Sequence, residues 1–518
     1  MARSTGKLLL SASALRITNL AAQVVVSFFL TPFVIRSLGD RLNGFWVLVG
    51  TFIGYYGLME LGLAAAVSRY IAGALGKGDR EQAGRVFTAS VALYSVLGAI
   101  LMILTGIVAP LSHVFVHSPQ DAHLLSKVIL VLGLSVGISF PVRAYAGLLT
   151  AELRFDVLAA TDFFSLLLRT GLVVAVLLAG GKVLALAWVT FLAGLPRMAI
   201  YIFASRKLCP WLRLRASPWF STETKRLLSY SAYAFVSDMA DRLRFNIDAF
   251  VIAGIVGLSA VTHFNIAAVM VTYFLNLMIA LMGVIGPWFS RVDEAGDHAT
   301  VAKGFLFATK LSICASSFVG FGLAVWGKAF ISRWMGAPYL DAYPCLLVLA
   351  LGYTVALWQN PSVNLLFAIS KHKFYALANV IEGLANLGLS LWLARNLGIF
   401  GVALGTFVPM LAMKLIIQPI YVCRVASIPL AQYAREVARS LLVVALALIV
   451  PVVIAVRFVA PNYYALMGVA LTSLICYLAV IGCLQFTSNE LALLRQVILP
   501  VRFNRTPAAS TAMFGKGR

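Results

Sequence analysis

Apolar stretches close to 20 residues long recur from one end of the chain to the other, separated by short polar breaks. A helix needs about 20 apolar residues to cross the hydrocarbon of a bilayer, so each stretch predicts a spanning helix. About fourteen are read, over 14–37, 43–72, 86–109, 124–150, 157–180, 183–204, 229–257, 263–287, 304–327, 342–368, 375–396, 400–422, 438–460 and 464–486. A transmembrane barrel would instead alternate apolar and polar residues in strands of about ten, and that pattern is absent. The predicted fold class is an all-α integral membrane protein of about 14 transmembrane helices.

The longest polar break, SRKLCPWLRLRASPWFSTETKRL at 205–227, falls after six spans; a second, CRVASIPLAQYAREVAR, falls after six more. The expected organisation is an N-terminal six-helix lobe (1–204), a basic cytoplasmic linker (205–227), a second six-helix lobe (228–422), an extra helix pair (423–486) and a basic cytoplasmic tail (487–518). The two sixes echo each other. VIRSLGDRLNGFW after the first span resembles VIAGIVGLSAVTHF after the seventh, and SRYIAGALGKGD from Ser68 resembles SRVDEAGD from Ser290. Repeated halves are common in secondary transporters.

Polar residues inside the spans are the candidate chemistry. FVSDMADRLRFNIDAFVIAGIVG, at 235–257, places Asp238, Asp241, Arg242, Arg244 and Asp248 in one predicted helix. A charge at mid-membrane costs about 2.5–3.5 kcal/mol on the insertion scale, and each large apolar residue returns only about 0.3–0.6. The five charges must therefore face water or a polar partner helix. Asp238 with Arg242, and Arg244 with Asp248, are i,i+4 pairs that partly neutralise one another. The stretch reads as a cavity wall, with a buried salt-bridge network as the alternative. The first span carries a narrower stripe of Arg16, Asn19, Gln23 and Ser27, which also suits interhelical hydrogen bonding. Further intramembrane candidates are Glu60, Arg143, Asp162, Arg169, the stripe Asn379, Glu382 and Asn386, and the i,i+4 pair Lys414 and Gln418. Arg36, Arg69, Arg197 and Lys310, close to span ends, read as snorkelling anchors.

Charge fixes the expected orientation. The chain is 61% hydrophobic and 12% charged, with a net charge of +22. Of its 41 lysines and arginines, seven (Arg41, Lys127, Lys182, Lys328, Arg333, Arg395 and Arg457) fall in one set of alternate loops, and most of the rest fall in the other set and the termini. By the positive-inside rule the N- and C-termini are cytoplasmic. Attraction to anionic membrane lipids accounts for the basic loops, with no nucleic-acid partner needed. The six cysteines are scattered without CxxC spacing, so no zinc site or disulfide framework is indicated. His113, His117 and His123 in the external loop LSHVFVHSPQDAH read as solvated, and no metal site is expected. No catalytic constellation is visible, so the chain is not expected to be an enzyme.

TPFVIRSLGDRLNGFWVLVGTFIGYYGLMELGLAAAVSRYIAGALGKGD, at 31–79, resembles the first two helices of the O-antigen type polysaccharide-biosynthesis flippases, members of the multidrug/oligosaccharidyl-lipid/polysaccharide (MOP) exporter superfamily. The matching elements are the TPFVIRSLG turn, the Gly44-Phe45-Trp46 restart, the GLMELGL run and the SRYIA–GKGD exit. The six-plus-six-plus-two layout extends the likeness. The resemblance implies a multi-pass protein of the bacterial inner membrane. Its implied activity is to move lipid-linked oligosaccharide, typically on undecaprenyl pyrophosphate, from the cytoplasmic to the periplasmic leaflet by alternating access. A polysaccharide polymerase and a chain-length regulator are the implied partners. No cofactor is implied beyond a coupling cation, H⁺ or Na⁺. Arginine's planar fork suits a pyrophosphate or acidic sugar. Arg16, Arg143, Arg169 and Arg244 are thus the expected head-group contacts, with Asn19, Gln23, Asp238, Asp241 and Arg242 lining the same site. Glu60, Asp162, Asp248 and Glu382 are expected in ion coupling or in a structural network. Two alternatives stay open: an ion-coupled multidrug exporter of the same superfamily, and an integral-membrane polysaccharide polymerase or ligase.

Overall fold

The structure, a computed structural model, describes residues 2–60, 63–114, 116, 118–212, 223–228, 247–282, 285–294, 296–369, 371, 373–457, 462–487 and 490, and of residues 2–17 the backbone alone. Among these residues all regular structure is helical. With no water in the hydrocarbon, a helix is the one single-segment conformation that pairs every backbone N–H and C=O within itself. The elements are α1 (Ala2–Leu38), α2 (Asp40–Tyr56), α3 (Leu63–Gly76), α4 (Arg80–Val108), α5 (Pro119–Ala151), α6 (Phe155–Leu178), α7 (Val183–Leu208), α8 (Asp248–Ile255) and α9 (Leu258–Met282). There follow α10 (Ile285–Glu294), α11 (His298–Trp334), α12 (Ala342–Trp358), α13 (Asn360–Ala368), α14 (Lys373–Ala412), α15 (Gln418–Val425), α16 (Leu430–Arg457) and α17 (Tyr463–Leu484).

Among the described residues eleven helical stretches are long and apolar enough to cross a membrane, and the chain is a multi-pass membrane protein. The expected fourteen is not reached among the described residues, for three reasons. The 52-residue stretch Phe374–Val425 holds two expected spans. At 1.5 Å per residue it is ~78 Å long, more than twice a bilayer's hydrocarbon. Gly398 breaks it with φ 56° and ψ −136°. The expected span 43–72 is divided into the 17 residues of α2 and the 14 of α3. Between them lies the tight turn Gly57–Glu60. The expected span 229–257 lies outside the described residues up to 246.

The chain divides into two units. The first runs to Asn265 and takes in Ser390–Val402; the second holds Ile266–Leu389 and the chain from Ala403 on. In the first unit α5 is the central helix, packed on α3, α4 and α7, while α6 joins α1 to α7. Gly98 and Gly137 let α4 and α5 approach closely: a Cβ on Gly98 would lie 2.6 Å from the Gly137 carbonyl oxygen. Small residues set such distances in membrane bundles, where apolar burial alone gives no preference for protein over lipid. Phe87, Tyr94, Phe140 and Leu148 are fully buried around this seam. Cys209 and Leu227, from the two described ends of the linker, bury into the same core, and Arg85 of α4 reaches Glu223 at 3.5 Å.

In the second unit α11 is central and packs on α10, α12, α13, α16 and α17. The last two helices are docked, not free. Tyr477 Oη donates to the Cys314 carbonyl at 2.9 Å. Lys310 Nζ, on α11, lies 3.2 Å from Glu436 and 3.7 Å from Glu490. Away from that seam, Leu442, Leu446, Ile449 and Val453 of α16 are exposed in a row, as a lipid-facing side requires.

The repeat read from the sequence is visible as geometry. Gly78 (φ 75°) and Gly296 (φ 74°) turn the chain at matching places. The next residue caps the following helix in each case: Asp79 accepts from the Gln82 N–H at 2.8 Å, and Asp297 from the Thr300 N–H at 2.9 Å. Hydrogen bonds from the Thr300 hydroxyl and N–H hold the Asp297 carboxyl below its ordinary range.

The break at Gly398 yields a prediction. Its φ/ψ pair is open to glycine and strained for other residues. Gly398→Ala and Gly398→Val should both lower the folded fraction in detergent-solubilised size-exclusion profiles. Gly388→Ala, at a helical position with open space around it, should leave the profile unchanged.

Candidate functional site

The residue that starts the site is Glu60. The turn Gly57–Glu60 interrupts the helical run between α2 and α3 and delivers this carboxylate to the side of α5. Arg143 of α5 donates to Glu60 Oε2 in a close ion pair. Tyr94 Oη of α4 donates to Glu60 Oε1 at 3.2 Å. The Arg143 guanidinium also lies over the Phe140 ring, 4.6 Å from its centre, a cation–π contact that holds the planar group in place. Neither partner of the ion pair is sealed: the Arg143 and Glu60 side chains are 31% and 24% exposed.

They are exposed to a cavity of about 500 Å³. One wall is a stripe of α5, where Ser139, Arg143, Ala146, Gly147 and Thr150 recur at helical spacing. α3 contributes Ala64, Ala65 and Ser68, and α7 contributes Arg197, Met198 and Tyr201. Small side chains create the space and three ionised groups supply the chemistry. A second acid–base group borders it: Asp162 of α6 accepts from Tyr201 Oη at 2.9 Å and lies 4.0 Å from Arg197 Nη1. That pair is loose, with both side chains nearly half exposed, so the Arg197 charge is only partly cancelled. The lining itself holds two guanidiniums and one carboxylate, an arrangement that attracts an anion with several acceptor oxygens.

The other sequence candidates are distributed as follows. Arg169 lies two turns beyond Asp162 on α6, exposed and within electrostatic reach of Arg197. Asn19 is engaged across a helix pair, its Nδ2 donating to the Ala159 carbonyl at 2.9 Å. Gln23 is exposed on α1. The Arg16 side chain lies outside the described residues, as do Asp238, Asp241, Arg242 and Arg244. Asp248 begins α8 and is buried. Arg197, expected as an anchor, instead lines the cavity. Tyr94 and Tyr201 were not anticipated. The available signal for Tyr201 was its place one turn beyond Arg197, on the same face of α7.

Glu382 belongs to a separate network in the second unit. It is 2% exposed, and Lys414, 4% exposed, lies 3.6 Å away. Lys414 Nζ also donates to Gln418 Oε1 at 2.9 Å and reaches Asn379 Oδ1 at 3.5 Å, with the Tyr375 ring centre at 5.0 Å. Gln418 continues the chain to the Gln359 carbonyl at 3.3 Å, and Gln359 Nε2 donates to Tyr433 Oη at 2.9 Å. Lys414 sits in a π-helical turn, Met413–Ile417, a local widening that often marks functional positions. The space beside it is about 10 Å³, room for one water at most.

Comparison with known proteins places this geometry. The profile of a family described as "Polysaccharide biosynthesis protein" matches residues 55–344, a stretch holding Glu60, Arg143, Asp162 and Arg197. The membrane protein EpsK of Bacillus subtilis, itself uncharacterised, is 23% identical over 95% of this chain and 97% of its own. Among solved structures, the lipid II flippase MurJ in an inward closed conformation superposes with a TM-score of 0.69 at 14% identity, over 94% of this chain and 99% of its own. An inward-facing multidrug resistance MATE family transporter of the MOP superfamily gives 0.65 at 15% identity, over 78% and 94%. The fold is that of this transporter superfamily.

The buried pair of the second unit carries a testable energetic consequence. Removing one partner strands the other charge, which costs about 3–5 kcal/mol, whereas replacing both by apolar residues is often neutral. Lys414→Met and Glu382→Leu should each depress thermal stability in detergent, and the double variant should recover most of the loss. Thermal melts of the four proteins check it.

Proposed function

From the premise that the chain belongs to the polysaccharide biosynthesis protein family, we propose that it is a flippase for lipid-linked oligosaccharide, of the kind carried on undecaprenyl pyrophosphate. The observation that carries this reading is the 500 Å³ cavity with Arg143 and Arg197 in its lining. A pyrophosphate offers acceptor oxygens to two guanidiniums at once, and small polar walls leave room for sugar. The overlap with a lipid II flippase over nearly the whole chain supports a lipid-linked cargo. An exporter of cationic drugs fits less well, because two arginines face a single carboxylate in the lining.

In this reading the protein lies in the bacterial inner membrane, and the positive-inside count supports both termini and the 205–227 linker on the cytoplasmic side. On that topology α3, α5 and α7 all end at the cytoplasmic face, and the cavity-lining residues of α5 and α7 lie in the inner halves of those helices. The cavity then loads from the side where sugar–lipid intermediates are built. Cargo binding draws Arg143 from Glu60, and Glu60 takes up the coupling cation, H⁺ or Na⁺, as its partner turns to the phosphate. The cavity then opens to the periplasmic side for release. A polymerase that consumes the repeat units, with its chain-length regulator, is the partner this product requires.

Three outcomes follow. Depletion of the protein should leave lipid-linked oligosaccharide on the cytoplasmic leaflet and strip polymer from the surface; a depleted strain with normal surface polymer and no second exporter would rule the function out. Arg143→Ala and Arg197→Ala should abolish transport at normal folded yield, while Arg197→Lys keeps part of it, since charge survives and the fork does not. For topology, Ser118→Cys should react with an impermeant maleimide on intact cells and Lys207→Cys should not.

A further inference from the structure

The charges of the first unit's cavity are only half of its polarity. Its lining also holds the hydroxyls of Ser68, Ser139, Thr150 and Tyr201, and each of them has its proton tied down inside the protein. Ser68 Oγ donates to the Ala64 and Ala65 carbonyls at 3.0 and 3.1 Å. Ser139 Oγ donates to the Val136 carbonyl at 2.7 Å, and Thr150 Oγ1 to the Ala146 carbonyl at 2.9 Å. Tyr201 Oη donates to Asp162 Oδ1 at 2.9 Å. Bonds from a hydroxyl back to its own helix are ordinary, but here they decide what a cavity wall can bind. A hydroxyl has one proton and two lone pairs, so all four face the cavity as acceptors. With Glu60 ionised, Arg143 and Arg197 are the lining side chains left to donate.

Donors and acceptors are ordered along the helices. On α5, Thr150 lies two turns beyond Arg143 on the same face, ~10 Å along the axis, and is next to the last residue of the helix. A Cβ built on Gly147 would lie 3.9 Å from the Ser68 backbone nitrogen, which sets Ser68 level with the turn between Arg143 and Thr150. Ser205 Oγ of α7 donates to the Tyr145 carbonyl at 3.4 Å. Tyr201 and Arg197, one and two turns earlier on α7, are therefore level with Arg143 or deeper. Both guanidiniums thus lie on the inner side of Ser68 and Thr150, which stand at the end of the cavity nearer the cytoplasm on the topology proposed above. A lipid-linked sugar in the inner leaflet has the same order, with its phosphates next to the lipid and its sugar towards water. A phosphate brings acceptors, which suit the guanidiniums and find no proton on the hydroxyls. A sugar brings hydroxyl donors, which suit Ser68 and Thr150, and Ala146 and Gly147 leave room for its ring.

We propose that Ser68 and Thr150 form a sugar subsite, which accepts hydrogen bonds from the sugar joined to the phosphates and so selects sugar-loaded carrier lipid over bare carrier. This rests on the flippase reading and the topology proposed above. Bare carrier satisfies the arginines and leaves both acceptors without a donor. A site built to pair a ligand hydroxyl discriminates against the analogue that lacks it.

The test is equilibrium binding to the purified full chain in detergent. Two probes are compared: a short-chain prenyl pyrophosphate, and the same pyrophosphate carrying one hexose, glucose or galactose. The readout is the ratio of their affinities, taken for the hexose that binds better. The glycosylated probe should bind more tightly. Ser68→Ala and Thr150→Val should each shrink the ratio by about two- to tenfold, the size of one net hydrogen bond. Thr150→Ser keeps the hydroxyl and should keep most of the ratio. Arg143→Ala should weaken both probes. The wild-type ratio tests the subsite even where a variant does not fold. Equal binding of the two probes by the wild type overturns the subsite, as does a ratio untouched by Ser68→Ala and Thr150→Val in folded protein. Either result leaves the flippase reading standing as long as both probes bind and depend on Arg143. Binding of neither probe overturns the flippase reading and the subsite together.

Discussion

An ionised side chain in hydrocarbon has to meet a counter-charge or water, and that single constraint orders the interior of this protein. Lipid offers neither, so each intramembrane charge dictates what stands next to it. Glu60 accepts from Arg143 and Tyr94, and Lys414 gathers Glu382, Gln418 and Asn379. The backbone obeys the same rule. Breaks in helical pairing at membrane depth survive where polar groups or a cavity supply the missing partners, and the turn that carries Glu60 borders the 500 Å³ cavity.

The rule works through small residues as much as through charged ones. Gly98 and Gly137 bring α4 and α5 together, which sets Tyr94 and Arg143 within reach of the same carboxylate. Further along α5, Ala146, Gly147 and Thr150 leave room where larger side chains would fill the cavity. Close packing on one side of α5 and empty space on the other come from the same choice of short side chains.

The fold class was fully legible in the sequence, because runs of about 20 apolar residues admit no other reading. The helix count was less so. Hydropathy averages over a break, so the 43–72 stretch reads as one span although Gly57–Glu60 interrupts it. The site was half legible. An intramembrane Glu60, Arg143 or Asp162 stands out as costly, but cost does not name a partner, and Glu60 and Arg143 are 83 positions apart. Arg197 was misread because a cation near a span end usually snorkels; only packing shows that α7 turns it toward the cavity. Tyr94 gave no signal, since a tyrosine in an apolar helix is unremarkable until its hydroxyl is seen to bind a carboxylate, and Tyr201 gave only its place one turn beyond Arg197. The echoed glycine turns were the reverse case: weak as sequence, they proved to be repeated cap geometry at Asp79 and Asp297.

The two units handle the same kind of ion pair in opposite ways. In each, a carboxylate faces a cation on a helix later in the chain, and a polar residue one turn beyond that cation completes the group: Asp162, Arg197 and Tyr201 in the first, Glu382, Lys414 and Gln418 in the second. The first pair is loose, nearly half exposed and beside open volume. The second is sealed, with no space for more than a water. An exposed pair gains little from its own attraction, so parting it costs little. A sealed pair resists exchange, because parting it strands both charges. Equivalent chemistry thus gives the first unit a group that can trade partners and the second a fixed polar pin. The difference between them is hydration, set by whether the neighbouring side chains are small enough to leave a cavity.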